Sequence, residues 1–129
     1  MSTSAIEAGL AGRRVLLVED ELLTAMEMEH LLTELGCHVL GPVPSVKRAL
    51  ALLEGDLPDL AVLDIQLGGE RATPIAVRLA AHGVPFLLVT GYGQLDLKEP
   101  VLRTVPRLSK PVDEKEVAKV LARLIRGQG

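Results

Sequence analysis

Five residues carry the side chains from which phosphoryl or metal chemistry could be built: the adjacent acids Glu19 and Asp20, then Asp64, Thr90 and Lys110. Glu19, Asp64 and Thr90 each end an apolar run, and Lys110 follows a short one. In an open α/β sheet, ligands gather beyond the carboxyl ends of such strands. Three carboxylates brought to one edge repel, and at least one pKa rises unless a cation sits between them. A hard divalent ion with oxygen ligands, Mg²⁺ by preference, relieves that repulsion. It also keeps coordination positions for water and a phosphoryl oxygen. An aspartate can attack phosphorus and form an acyl phosphate. The charge on the phosphoryl oxygens would then be met by Mg²⁺, the Lys110 ammonium and the Thr90 hydroxyl.

Taken singly, each residue has a plainer reading. Asp64 could cap the turn after a strand. Glu19-Asp20-Glu21 could be acids complementing a helix N-terminus. Thr90 suits a strand as a β-branched residue, and Lys110 suits a solvated surface. What sets them apart is their joint placement, one group at each of four predicted strand ends.

The positioning elements follow from periodicity. Short apolar runs predict strands over Arg14–Val18, His38–Gly41, Asp59–Asp64, Phe86–Thr90 and Pro106–Ser109. Pro42 and Pro44 argue against a longer, central second strand. Helical spacing predicts helices over Leu22–Leu35, Val46–Leu53 with Ser45 as N-cap, Arg71–Ala81, and Asp113–Arg126. The 66–70 stretch reads as a glycine-rich loop. Gln94–Thr104 is expected to hold at most a short helix, interrupted by Pro100. Strands alternating with helices imply an α/β, (βα)5, flavodoxin-like doubly wound parallel sheet of order 2-1-3-4-5.

Composition narrows the function classes. The 129 residues fit one domain, and 48% hydrophobic with 24% charged residues is the balance of a globular chain. A formal charge of -3 provides no basic footprint for nucleic acid. The single cysteine, Cys37, allows no internal disulfide. The 1–11 stretch lacks a signal-peptide pattern and no apolar run could span a bilayer, so a cytoplasmic protein is expected. His30, His38 and His82 all fall away from the strand-end edge.

An acidic pair after strand 1, Asp after strand 3, Thr after strand 4 and Lys-Pro after strand 5 resemble the receiver domain of bacterial two-component response regulators over residues 13–126. The resemblance implies that Asp64 is the phosphoacceptor. It implies that Glu19, Asp20, Asp64 and the backbone carbonyl of Gln66 hold Mg²⁺, and that Thr90 and Lys110 bind the phosphoryl group. The bond to Pro111 is often cis in such domains. Many receivers carry an aromatic three residues before the lysine, where this chain has Arg107, so the usual Thr/aromatic switch is not expected. The 85–92 segment instead is similar to the motif of the FAT GUY receivers, with Leu88 and Val89 departing from it. Gly91 would leave room above the phosphoryl group, and Tyr92 would cover the site or face a partner.

A sensor histidine kinase or histidine phosphotransfer protein is the implied donor, docking near the first helix, with a downstream protein as target. The expected organisation is a flexible tail over 1–11 and a stand-alone receiver over 12–127 without an output domain. Such a chain is no enzyme in the ordinary sense, though it assists its own phosphorylation and dephosphorylation. Other readings are a docking module that works without phosphorylation, a Mg²⁺-dependent phosphohydrolase, and a flavodoxin. The hydrolase would want a second acid where Gln66 stands. The flavodoxin would want a Ser/Thr- and Gly-rich loop where Glu19-Asp20-Glu21 stands.

Overall fold

The apolar runs become strands buried on both faces. The computed structural model describes residues 9–91 and 99–127. Its main sheet has five parallel strands, β1 (Arg14–Val18), β2 (His38–Val43), β3 (Leu60–Asp64), β4 (Phe86–Thr90) and β5 (Arg107–Ser109), in the order β2-β1-β3-β4-β5. Every residue of β3 and β4 is buried. Alternate residues serve opposite faces, as the pleat requires. Leu16, Val18, Ala61 and Leu63 pack under α2 (Val46–Leu52), α3 (Thr73–Ala81) and α4 (Pro100–Arg103). Val15, Leu17, Val62 and Leu87 pack under α1 (Leu22–Glu34) and α5 (Glu114–Ile125). Near-continuous hydrophobicity is what a strand covered on both sides needs. The expected fold class and strand order are therefore observed.

The helix ends follow local chemistry. The Ser45 hydroxyl accepts the Arg48 N–H at 3.2 Å and starts α2. Asp113 accepts the Lys115 N–H at 2.8 Å and starts α5. Leu10, within the stretch read as tail, is fully buried in the α1–α5 core, and its carbonyl accepts from Cys37 Sγ at 3.6 Å.

Four local expectations need correction. The second strand runs on to Val43 instead of stopping at Gly41. It is an edge strand, where Pro42 needs no ladder donor. A register shift against β1, from Leu16↔Leu40 to Val18↔Val43, takes up the extra residue. The glycine-rich loop is instead a two-stranded antiparallel ribbon, Gln66–Leu67 with Glu70–Arg71, turned by Gly68 and Gly69 at positive φ. The third helix accordingly begins at Thr73. Finally, Pro100 opens α4 rather than interrupting it. A first-turn proline is pre-set for helix and lacks only an N–H that would go unpaired there.

A bidentate ion pair joins the ribbon to the start of α4. Arg71 donates to Glu99 at 2.7 and 3.1 Å, and the Thr73 hydroxyl adds a bond at 2.9 Å. The Arg71 guanidinium and the Thr73 hydroxyl hold the Glu99 carboxyl down at about 2.

The bulge at the end of β2 rests on Gly41, at φ +103°, where a Cβ would lie 2.8 Å from the Leu17 carbonyl oxygen and 2.8 Å from the Val43 nitrogen. Both neighbours are backbone. Gly41→Ala should therefore destabilise by about 1–3 kcal/mol, read as a lower urea midpoint at unchanged m. An unchanged midpoint would show that the bulge yields freely.

Candidate functional site

The parallel sheet delivers its strand ends to one edge, and the acids meet there. Glu19 follows β1 and Asp64 ends β3. The two strands are neighbours paired in register, Val18 opposite Leu63. Glu19 and Asp64 are each only 5% exposed, whereas Asp20 faces solvent. Glu19, Asp20 and Asp64 each present a carboxylate oxygen within 4.8 Å of the others'. Asp20, Glu21 and Asp64 line a cleft of about 590 Å³ that also borders Gln66, Gly91, Lys110 and Pro111.

Lys110 is the cation that this edge supplies. Its Nζ donates to Asp64 Oδ2 at 2.9 Å and to Glu21 Oε1 at 2.7 Å, and both Glu19 oxygens lie 3.1 Å away. Its amide donates to the Thr90 carbonyl at 2.8 Å, tying the ends of β4 and β5 together. The Lys110–Pro111 peptide is cis. The other bonds fix the carboxylates. Asp64 Oδ1 accepts the Gln66 N–H at 3.1 Å, and Glu19 Oε2 accepts the Glu21 N–H at 3.0 Å.

The electrostatics follow from burial and proximity. Burial pushes the Glu19 carboxyl up to about 7; the Glu21 amide pulls it back, the Asp64 charge raises it further, and Lys110 opposes the rise. Burial alone would lower the Lys110 ammonium, but hydrogen bonds to Glu21, Asp64 and Glu19 outweigh it and raise the pKa. Glu21 is lowered by its hydrogen bond to Lys110. The set consists of hard anionic oxygens with one member left strained by burial, and it fits a hard divalent cation such as Mg²⁺.

Of the residues singled out from sequence, Glu19, Asp64 and Lys110 are in direct contact, and Asp20, Gln66, Gly91 and Pro111 border the same cleft. Thr90 ends β4 with 2% exposure. Arg107 is exposed on the edge strand β5, opposite Leu88 of β4 and outside the cleft lining. Tyr92 lies outside the described residues. The sequence reading missed Glu21 as a member of the site. Its signal was its place in an acidic triplet after β1, but acids complementing the positive end of a helix explained that triplet equally well.

Comparison with known proteins bears on the family and the fold. The sequence model of the response regulator receiver domain family matches residues 15–122. The sensory transduction protein LytT of Bacillus subtilis is 32% identical over 111 residues, which cover 84% of this chain and 46% of LytT. The chain thus spans about half the length of such curated relatives. The solution structure of SdrG from Sphingomonas melonis superposes with a TM-score of 0.77 at 41% identity, covering 91% of this chain and 98% of that one. The response regulator PhyR from Brucella abortus gives a TM-score of 0.79 at 26% identity, over 99% of this chain and 54% of that one.

A carboxyl raised from 4.5 to about 7 by folding binds its proton more tightly folded than unfolded, so its contribution to stability falls as pH rises through that window. In chelator, wild type should therefore lose stability relative to Glu19→Gln across this range, in urea titrations at successive pH values. Parallel curves would contradict the burial of Glu19.

Proposed function

Because the chain belongs to the response regulator receiver family, we propose that it accepts a phosphoryl group on Asp64 from a phosphohistidine partner and so switches a protein–protein interaction or passes the group on. The observation that supports this most is the single shared contact at Asp64. This carboxylate is buried and fixed by the Gln66 amide at 3.1 Å, yet it borders an open cleft and touches the Lys110 ammonium at 2.9 Å. Receiver domains are signal transducers that work with histidine kinases or phosphotransfer proteins. Among the described residues, no helix is long and apolar enough to cross a membrane.

In the proposed step, an Asp64 oxygen forms a bond to phosphorus while the phosphorus–nitrogen bond of the donor breaks, its electron pair remaining on the imidazole. Lys110 neutralises charge on the transferred group, and the Thr90 hydroxyl donates to it. The backbone bond from Lys110 to Thr90 keeps these two residues at a fixed separation. Glu19, Asp20, Asp64 and the Gln66 carbonyl would hold Mg²⁺, which supplies further charge neutralisation at the phosphoryl oxygens. Gly91 leaves the space above Asp64 free of a side chain, and Tyr92 serves as the partner-facing element of a FAT GUY-type switch. Arg107 replaces the aromatic of other receivers, and Pro111 shapes the turn after Lys110. Hydrolysis of the acyl phosphate resets the domain, which acts in the cytoplasm with a protein target downstream.

Two measurements test this reading. A small acyl-phosphate donor should give a base-labile adduct of one phosphoryl group on wild type and none on Asp64→Asn, by intact mass. Equal labelling of both would remove Asp64 from its role. An unlabelled wild type would favour a docking module, and sustained phosphate release from unrelated monoesters would favour a hydrolase. Mg²⁺ at ten times its Kd should stabilise wild type by about 1.4 kcal/mol, seen as a higher Tm that Asp20→Asn reduces. An unmoved Tm would count against the metal site.

A further inference from the structure

Among the groups on Lys110, Glu21 belongs neither to the acidic trio nor to the helix it precedes. We infer that Glu21 is a positioning residue for Lys110, holding the ammonium in the unphosphorylated protein and releasing it when Asp64 gains a phosphoryl group. The inference rests on the reading of Asp64 as phosphoacceptor and adds the element that sets how readily the site is loaded.

Three observations carry it. The Glu21 contact, at 2.7 Å, is shorter than those to Asp64 at 2.9 Å and Glu19 at 3.1 Å. Glu21 occupies the N-cap position of α1, and its side chain makes no cap hydrogen bond, which leaves the carboxylate free of the helix end. Its carboxylate instead accepts from Lys110 and, at 3.3 Å, from the Thr24 hydroxyl. Its backbone amide is pinned by Glu19, so the side chain departs from a fixed point at the cleft. Finally, the Glu21 side chain is 62% exposed, against 4% and 6% for those of Glu19 and Asp64.

An ammonium has three N–H donors, and here three carboxylates occupy them. A phosphoryl oxygen can reach Lys110 only by displacing one. Glu19 would leave a buried charge unpaired if displaced, and Asp64 stays beside Lys110 because the phosphoryl group is bonded to it, whereas Glu21 can turn into water. Glu21 is therefore the partner exchanged. Its charge at the cleft also opposes the approach of an anionic donor. During loading from an acyl phosphate, Asp64 bonds to phosphorus and the donor carboxylate departs with the electron pair of the broken bond. Lys110 moves from Glu21 to a phosphoryl oxygen without giving up a proton.

The test compares wild type, Glu21→Gln and Glu21→Asp. With a small acyl phosphate, Glu21→Gln should load Asp64 about two- to fivefold faster, the scale of an exposed charge pair, with half-saturation at a lower donor concentration. Glu21→Asp, which keeps the charge and shortens the reach, should fall between. In chelator and without donor, an amine-acylating reagent should modify Lys110 faster in Glu21→Gln than in wild type, mapped by peptide mass. Labelled wild type with unchanged or slower loading of Glu21→Gln and unchanged Lys110 reactivity overturns the inference and leaves Asp64 in place. Wild type that takes no label overturns both.

Discussion

The ammonium of Lys110 is the interaction on which this edge of the molecule depends. Parallel topology sends every strand end to the same side, and the order of the sheet places the end of β1 beside that of β3. Acids at both ends are therefore forced together. The counter-charge arrives from β5, with β4 standing between it and β3. Neighbouring strands lie about 4.8 Å apart, so the charge must cross roughly twice that spacing. A long, flexible side chain can do so; a short one cannot. β4 ends in Thr90, whose carbonyl accepts the Lys110 amide, and the next residue, Gly91, borders the cleft without a side chain to fill it.

The rest of the fold makes this arrangement tolerable. Two apolar clusters, one on each face of the sheet, hold the strands independently of the charged edge. Glu19 and Asp64 are consequently buried by packing that does not depend on them. The raised pKa of Glu19 shows what this arrangement imposes on one carboxylate, and such local conflict is typical where a fold serves a site rather than its own stability.

Much of this was legible in the sequence because the two strongest signals have simple physical causes. Strands β3 and β4 are covered on both faces, so their runs carry no polar residue before Asp64 and Thr90. The ends of apolar runs located the acids, and Lys110 followed from the short run before it. The failures were local. Pro42 was read as the stop of the second strand, but at an edge it needs no ladder donor and β2 runs on to Val43. Pro100 was read as an interruption, but it occupies a first turn. Gly68-Gly69 is a hairpin turn as readily as a loop, and only the pairing of Gln66 with Arg71 decides. Glu21 escaped notice because the direction of an N-cap side chain depends on where the helix begins, to within one residue.

The borders of the sheet carry a different consequence. At one border β2 interrupts its own ladder with Pro42, which has no N–H, and with the bulge at Gly41. At the other, β5 is only three residues long. Neither offers an uninterrupted row of free donors and acceptors to a foreign strand, and such blunting is how natural sheets resist growth by edge pairing. Any lasting association of this protein must then be made by side chains on its helical faces and loops, where sequence can choose the partner, and not by backbone, which would accept any strand alike.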